Sequence, residues 1–301
     1  MEISVIILTK DEEKYIGSAL EMVFKQEVEG GYEVIVIDSG SQDSTLKIVR
    51  NYPVKIVNIK PDEFGHSKTR NLGVKLSKGI YVVFLTADAI PANNTWLRGL
   101  ILPFKSNAEI AGVYSRQIPR SNCYPSEARD ISAGAALVPK TKSINPGAVN
   151  QVGYFSKNIW KLIIFSNISS AYRRDLLEKY PFKEDVLAVE DQEWACRLIE
   201  NGYSIYYEPA SCVCHSHNDT LKKLYNRHYR YGLSFKSFVK DKSRGTSCYF
   251  VKVTIYEIIR DYIFLMTYAQ SLIKKTVWFF KIPFFRVVKN FAFYQGFKNG
   301  A

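Results

Sequence analysis

Residues Gly79 to Pro91 read GIYVVFLTADAIP, and the unbroken apolar run from Tyr81 to Leu85 has to be buried on both faces. A short run of β-formers like this suits an inner strand of a parallel sheet with helices on either side. Polarity changes abruptly where the run ends. Asp88 stands there, just before a turn marked by Pro91, and in open α/β sheets ligands collect beyond the carboxyl ends of strands. A carboxylate so placed either anchors a divalent cation on a nucleotide's phosphates or caps the helix that begins near Asn94.

The chain before this strand repeats one unit. Glu2 to Leu8 is apolar and β-branched, Thr9 to Glu13 is a polar turn, and Lys14 to Phe24 sets Ile16, Leu20, Val23 and Phe24 at helical spacing. Strand Glu33–Ile37, turn Asp38–Thr45 and a helix capped by Asp43 or Ser44 follow, then strand Val54–Ile59, loop KPDEFGH and helix Ser67–Ser77. Alternation of this kind implies a doubly wound, mostly parallel α/β sheet flanked by helices, with right-handed crossovers. No G-x-G-x-x-G follows the first strand and no G-x-x-x-x-G-K-[ST] occurs, so neither a dinucleotide dehydrogenase nor a P-loop NTPase is supported.

Polar residues gather at the strand ends. Asp38 can accept from a pyrimidine ring or a ribose hydroxyl, or form an Asx turn with Ser39 and Gly40, and the two are compatible. Lys68 and Arg70 lie in the first turn of the helix starting near Ser67, where the dipole favours an anion. Cations there imply something negative between them and the helix, such as a diphosphate, or else simple solvation. His66, in the same loop, is within reach of phosphate or sugar.

Charge divides the 301 residues unevenly. Between residues 221 and 301 there are 16 Lys and Arg against 3 Asp and Glu, whereas residues 1 to 220 hold 25 against 26. A near-neutral body therefore carries a basic tail region. Five cysteines, an odd number, and a first stretch that reads as a strand rather than a leader point to a reduced, cytoplasmic location.

The stretches ISVIILTKDEE, VIVIDSGSQDST, FGHSKTRNLG and FLTADAIP, in this order and spacing, resemble the inverting family-2 glycosyltransferases with a GT-A (Rossmann-like) fold. FGHSKTRN and EDQEWACRLIENGYSIYYEPASCVCHSHN look like the rhamnosyltransferase branch, and the resemblance spans about residues 1 to 235. It implies that Thr9, Asp11 and Asp38 line the nucleoside pocket and that Arg70 faces the nucleotide, with Ala87 and Asp88 at the donor-site strand end. Asp88 would bind the metal, Mg²⁺ or Mn²⁺. Many members carry Asp-x-Asp there, whereas Thr86 takes the first position here.

In the second half, Ile118 to Asn158 reads as loops and short helices near an acceptor, Trp160 to Ile164 as a strand, and Ser169 to Glu178 as a helix. Glu190, Asp191 and Glu193 open a helix ending at Asn201-Gly202. Three acids in a first turn suit the dipole, but by the family's E-D-x-E pattern Asp191 would be the catalytic base, with Glu190 and Glu193 orienting it or meeting the acceptor. Ser204–Tyr207 and Ser211–His217 read as two strands joined at Pro209. Cys212, Cys214, His215 and His217 have the look of a zinc site, yet strand alternation turns the cysteines one way and the histidines the other. His215 instead resembles the histidine that completes the metal shell, with His217 as second choice.

From Leu221 the chain interleaves aromatics with Lys and Arg. Its longest uncharged run, Tyr262 to Ile273, has 12 residues, below the ~20 a bilayer requires. The reading is a catalytic domain over 1–220 and a helical, basic-aromatic region over 221–301 that contacts a membrane surface or a second copy of the chain in a homodimer. No nucleic-acid motif is present. The expected function is inverting transfer of L-rhamnose from dTDP-L-rhamnose to a lipid-linked or surface polysaccharide, by an enzyme peripheral on the inner face of the plasma membrane. The alternatives are transfer from UDP-galactose or UDP-N-acetylglucosamine, and a non-catalytic nucleotide-sugar-binding assembly module.

Overall fold

A computed structural model describes residues 2–134, 137–144, 159–241, 243–268 and 271–300. In chain order its strands are β1 (Ile3–Thr9), β2 (Tyr32–Asp38), β3 (Lys55–Asn58), β4 (Tyr81–Thr86), β5 (Ile90–Pro91), β6 (Ile110–Ile118), β7 (Lys140–Lys142), β8 (Ser169–Arg173) and β9 (Ser204–Cys214). Its helices are α1 (Ile16–Phe24), α2 (Thr45–Val49), α3 (His66–Leu76), α4 (Trp96–Ser106), α5 (Pro125–Gly134), α6 (Arg174–Lys179), α7 (Glu190–Glu200), α8 (Leu221–Phe238), α9 (Ser247–Thr267) and α10 (Leu272–Asn299). Two compact units result, one of residues 1–118, 135–185 and 190–215, the other of 119–134, 186–189 and 216–301.

The first unit is a single sheet in the order β3-β2-β1-β4-β8-β6-β9-β5, with β7 pairing on β9. Strands β1 to β4 are parallel, and β8 runs antiparallel between β4 and β6. Alternate side chains of the apolar runs enter opposite layers. Ile3, Val5 and Ile7 pack with Leu20, Val23, Trp96 and Leu100 on one face. Ile6, Ile37, Val82 and Phe84 pack with Val74, Trp194 and Leu198 on the other. Burial on both faces is what the run at 81–85 demanded.

Three elements differ from the local reading. Ser169–Arg173 is strand β8, and only Arg174–Lys179 is helical. Small residues at 169–171 fit the slot between β4 and β6, and Tyr172, buried edge-on against Trp194 at 4.8 Å, locks the strand there. Residues 160–162 are helical, with Ile163 N–H donating to Ile159 O. Residues 204–214 form one strand, because β9 absorbs Pro209 in a register shift opposite Ser115 and Arg116 instead of turning. Of the 118–158 stretch, α5 and β7 are described, while residues 145–158, read as near the acceptor, lie outside the described residues.

The second unit contains α5, α8, α9 and α10. Helices α8 and α10 cross at two glycines, where a Cβ on Gly296 would strike Tyr229 O and one on Gly232 would strike Phe293 O. A buried ionic cluster joins α9 and α10 to α5. Asp261 accepts from Arg129 Nε at 2.6 Å, from Arg286 Nε at 2.6 Å and Nη2 at 2.7 Å, and from Ser126 Oγ. Arg286 also reaches Asp130 at 2.7 Å. Burial pushes the Asp130 carboxyl up, but Lys289 and Arg286 outweigh it and hold the group below the ordinary carboxylate range. No helix among the described residues is long and apolar enough to cross a membrane.

Removing one member of a buried ion cluster leaves uncompensated charge. Asp261→Ala is therefore expected to cost about 3–5 kcal/mol in denaturant unfolding. Loss of the exposed Lys25–Glu21 pair through Lys25→Ala should cost far less.

Candidate active site

The parallel register brings the functional strand ends level. Thr9 pairs with Asp38 across β1 and β2, and Leu8 pairs with Thr86 across β1 and β4. Asp38 is buried, and its carboxylate accepts from Gly40 N at 2.9 Å, Ser41 N at 3.0 Å and Ser41 Oγ. Gly40, at φ +87°, makes that turn without a Cβ penalty. Asp38 thus shapes its loop through the Asx turn. Asp11, itself at φ +52°, accepts from Gln42 N at 2.7 Å, and its own N–H donates to Ser41 Oγ at 3.0 Å, so the β1 and β2 loops latch together. Thr9 Oγ1, Ser67 Oγ, Thr86 Oγ1 and Arg70 Nε are buried in this end of the unit without a hydrogen-bond partner. Buried polar atoms are normally satisfied, so these four stand out at this end of the sheet.

Ala87 is buried, and Asp88 follows it out of β4. The antiparallel pairing of Ile90 with Cys214 and Pro91 with Val213 folds this loop against the end of β9. Asp88 Oδ2 then lies 3.3 Å from His215 Nε2. On its other side His215 Nδ1 meets Gln117 Oε1 at 3.2 Å, and Gln117 Nε2 donates to Ser166 Oγ at 3.2 Å. With Nδ1 donating to Gln117, Nε2 is the nitrogen left to face the Asp88 carboxylate. One carboxylate oxygen and one imidazole nitrogen are a donor set that suits a divalent cation. His217 belongs to the second unit.

The acidic helix start is built from three chain segments. Glu190 is buried and accepts from Arg70 Nη1 at 2.6 Å and from Asn167 Nδ2 at 3.0 Å. The negative partner that Arg70 required is Glu190, and the guanidinium rests 5.7 Å from the Phe84 ring. His66, exposed at the first position of α3, stacks edge-on with Phe64 and adds positive potential at Glu190. Burial pushes the Glu190 carboxyl up, yet Arg70, His66 and Asn167 outweigh it and keep the group ionised.

Asp191 behaves oppositely. Partly open to solvent, it accepts from Asn167 N at 2.8 Å and Gln192 N at 2.8 Å. Desolvation, helped by the neighbouring Glu190 charge, pushes its carboxyl up to about 7. Two adjacent carboxylates with pKa values driven apart are the arrangement in which one stays charged and the other exchanges protons. Val189, a β-branched residue at φ +56°, precedes them, an uncommon backbone state for such a side chain. Thr86 N–H donates to Ile168 O at 3.0 Å, so the Asn167 segment that holds Asp191 abuts the strand end that carries Asp88.

Glu193 departs from expectation. It is buried beneath Arg197 at 2.8 Å and Lys183 at 3.1 Å, so it fastens α7 to the 181–183 loop instead of orienting Asp191. Asn167 and Gln117, absent from the sequence reading, hold the acidic pair and His215 respectively. Asn167 Oδ1 is itself fixed by Ser170 Oγ at 2.9 Å and by the Tyr172 hydroxyl.

The glycosyl transferase family 2 pattern matches residues 4–181. The O-antigen chain rhamnosyltransferase RfbN of Salmonella typhimurium is 32% identical over 238 residues, 77% of this chain and 72% of that protein. WbaN of Salmonella anatum, also an O-antigen chain rhamnosyltransferase, is 32% identical over 70% of this chain and 64% of its own length. Among solved structures, the mannosyltransferase PcManGT of Pyrobaculum calidifontis, in complex with GDP-Man and Mn²⁺, superposes with a TM-score of 0.61 at 18% identity over 96% of this chain and 87% of that one. That likeness speaks to the fold. The family match, the curated relatives and a sheet of this order together establish that the chain belongs to glycosyl transferase family 2, as a glycosyltransferase of GT-A fold.

Proposed function

We propose that the chain transfers L-rhamnose from dTDP-L-rhamnose, with inversion, to a lipid-linked surface polysaccharide at the inner face of the plasma membrane, through a catalytic region spanning about 1–220. The observation that carries the mechanism is the divergence of Glu190 and Asp191, one held ionised and the other poised near neutrality. The relatives' names support the sugar and the kind of acceptor.

Each Asp191 oxygen accepts one backbone N–H and keeps a lone pair for a further proton. In the proposed step it takes the acceptor hydroxyl proton as that oxygen bonds to the anomeric carbon and the bond from that carbon to the diphosphate breaks. Glu190, fixed by Arg70 and Asn167, holds the helix start in place. Thr9, Asp11 and the loop shaped by Asp38 are assigned to the nucleoside, and the open hydrogen-bonding capacity of Arg70 Nε and Thr86 Oγ1 to the donor. Asp88 and His215 would hold the cation, with Gln117 setting the imidazole tautomer. Such an ion neutralises charge on the departing diphosphate.

A base must be deprotonated to act. The rate of the wild-type protein should therefore rise about tenfold per pH unit up to about pH 7 and level off above it. Asp191→Asn should lower kcat by about 10²–10⁴ and abolish this limb; a folded Asn variant with near-normal turnover would remove the assignment. Titrating Mn²⁺ against nucleoside diphosphate release should show no metal response in Asp88→Ala. In Gln117→Leu the half-saturating metal concentration should increase about 10- to 100-fold. Release measured across dTDP-rhamnose, UDP-galactose and UDP-N-acetylglucosamine, with and without EDTA, is expected to favour dTDP-rhamnose and to stop with EDTA.

A further inference from the structure

Two helices of the second unit share an apolar face open to solvent. Along α9, Val251, Ile255, Ile259, Ile263 and Met266 recur at intervals of four and three residues, with exposures from 50% to 74%. Along α10, Ile273, Val277, Phe280, Phe284, Val287 and Phe291 recur at the same intervals, Phe280 and Phe284 being 66% and 68% exposed. Such spacing gathers each set on one side of its helix. Stacking of Tyr262 on Phe279 at 4.6 Å and contact of Phe250 with Phe291 at 5.9 Å tie the helices side by side.

The charges beside this face have one sign. Lys252, Arg260, Lys274 and Lys281 are exposed. Among the described residues from 247 to 300 no carboxylate is exposed, since Asp261 is buried and Glu257 is held by Arg286 and Lys289. Exposed apolar area of this extent marks an interaction surface. Face-to-face pairing of two copies would bring these cations together with no carboxylate to meet them, which disfavours self-association. An anionic bilayer supplies both an apolar layer for the stripes and negative head groups for the flanks.

We infer that the α9–α10 face lies in the interface of an anionic lipid bilayer, a refinement that rests on the lipid-linked acceptor proposed above. It holds the protein on the surface without crossing. Flotation of the full chain with phosphatidylcholine vesicles, with and without phosphatidylglycerol, tests it. The wild-type protein should float with the anionic vesicles and lose binding as salt is raised. Ile259→Glu with Ile263→Glu, and separately Lys274→Glu with Lys281→Glu, should each reduce partitioning by at least about tenfold. Both variants should keep wild-type nucleoside diphosphate release with a detergent-solubilised acceptor. Failure of the wild-type protein to float, or equal flotation of the variants, overturns the inference. So does a lipid-free dimer by light scattering that Ile259→Glu with Ile263→Glu converts to monomer. Flotation that persists while no donor releases its nucleotide would leave the face assigned and remove the transferase chemistry instead.

Discussion

The ion pair between Arg70 and Glu190 is the contact on which the candidate site depends. It joins α3 to α7 across 120 positions of sequence, with both side chains buried and the guanidinium over Phe84. A pair of this kind contributes little net stability when intact but is costly to break from one side. Its value here is electrostatic and positional. Arg70 keeps Glu190 charged, and that charge, added to desolvation, raises the neighbouring carboxyl of Asp191. The positive charge of Arg70 itself acts on Asp191 in the opposite sense, and desolvation together with Glu190 outweighs it.

The sheet order explains how such remote segments meet. Four parallel strands present their carboxyl ends together, and β8 is then inserted antiparallel, which brings Asn167, two residues before its start, to the same edge. From there Asn167 reaches both members of the acidic pair through its side-chain amide and backbone N–H. Strand β9 closes the arrangement by pairing with both β6 and the short β5. The Arg70–Glu190, Asp88–His215 and Gln117–His215 contacts each take one residue from either half of the chain.

What could be read in advance followed local physics. Apolar runs of β-formers, polar turns and the acidic helix start are short-range signals, so the first four strands and α7 were legible, as was Asp88 at the end of β4, whereas Asp191 and His215 were singled out by the family resemblance. The second half of the sheet was not. Ser169–Arg173 carries no alternation and is followed by a helix, and only the slot between β4 and β6 makes it a strand. Asn167 and Gln117 escaped notice for the same reason, since each acquires its partners through that pairing. Glu193 shows the reverse limit: a carboxylate in the right motif was taken by Arg197 and Lys183, neighbours its helical turn and an adjacent loop supply.

The pairing of Ile90 and Pro91 with the last residues of β9 also bears on the order of events during synthesis. Asp88 meets His215 only after the final strand has been laid against β6. A nascent chain leaving the ribosome displays the first of these two side chains long before the second exists. Any joint grip by the two is therefore acquired late, once the parallel half of the sheet has had time to close.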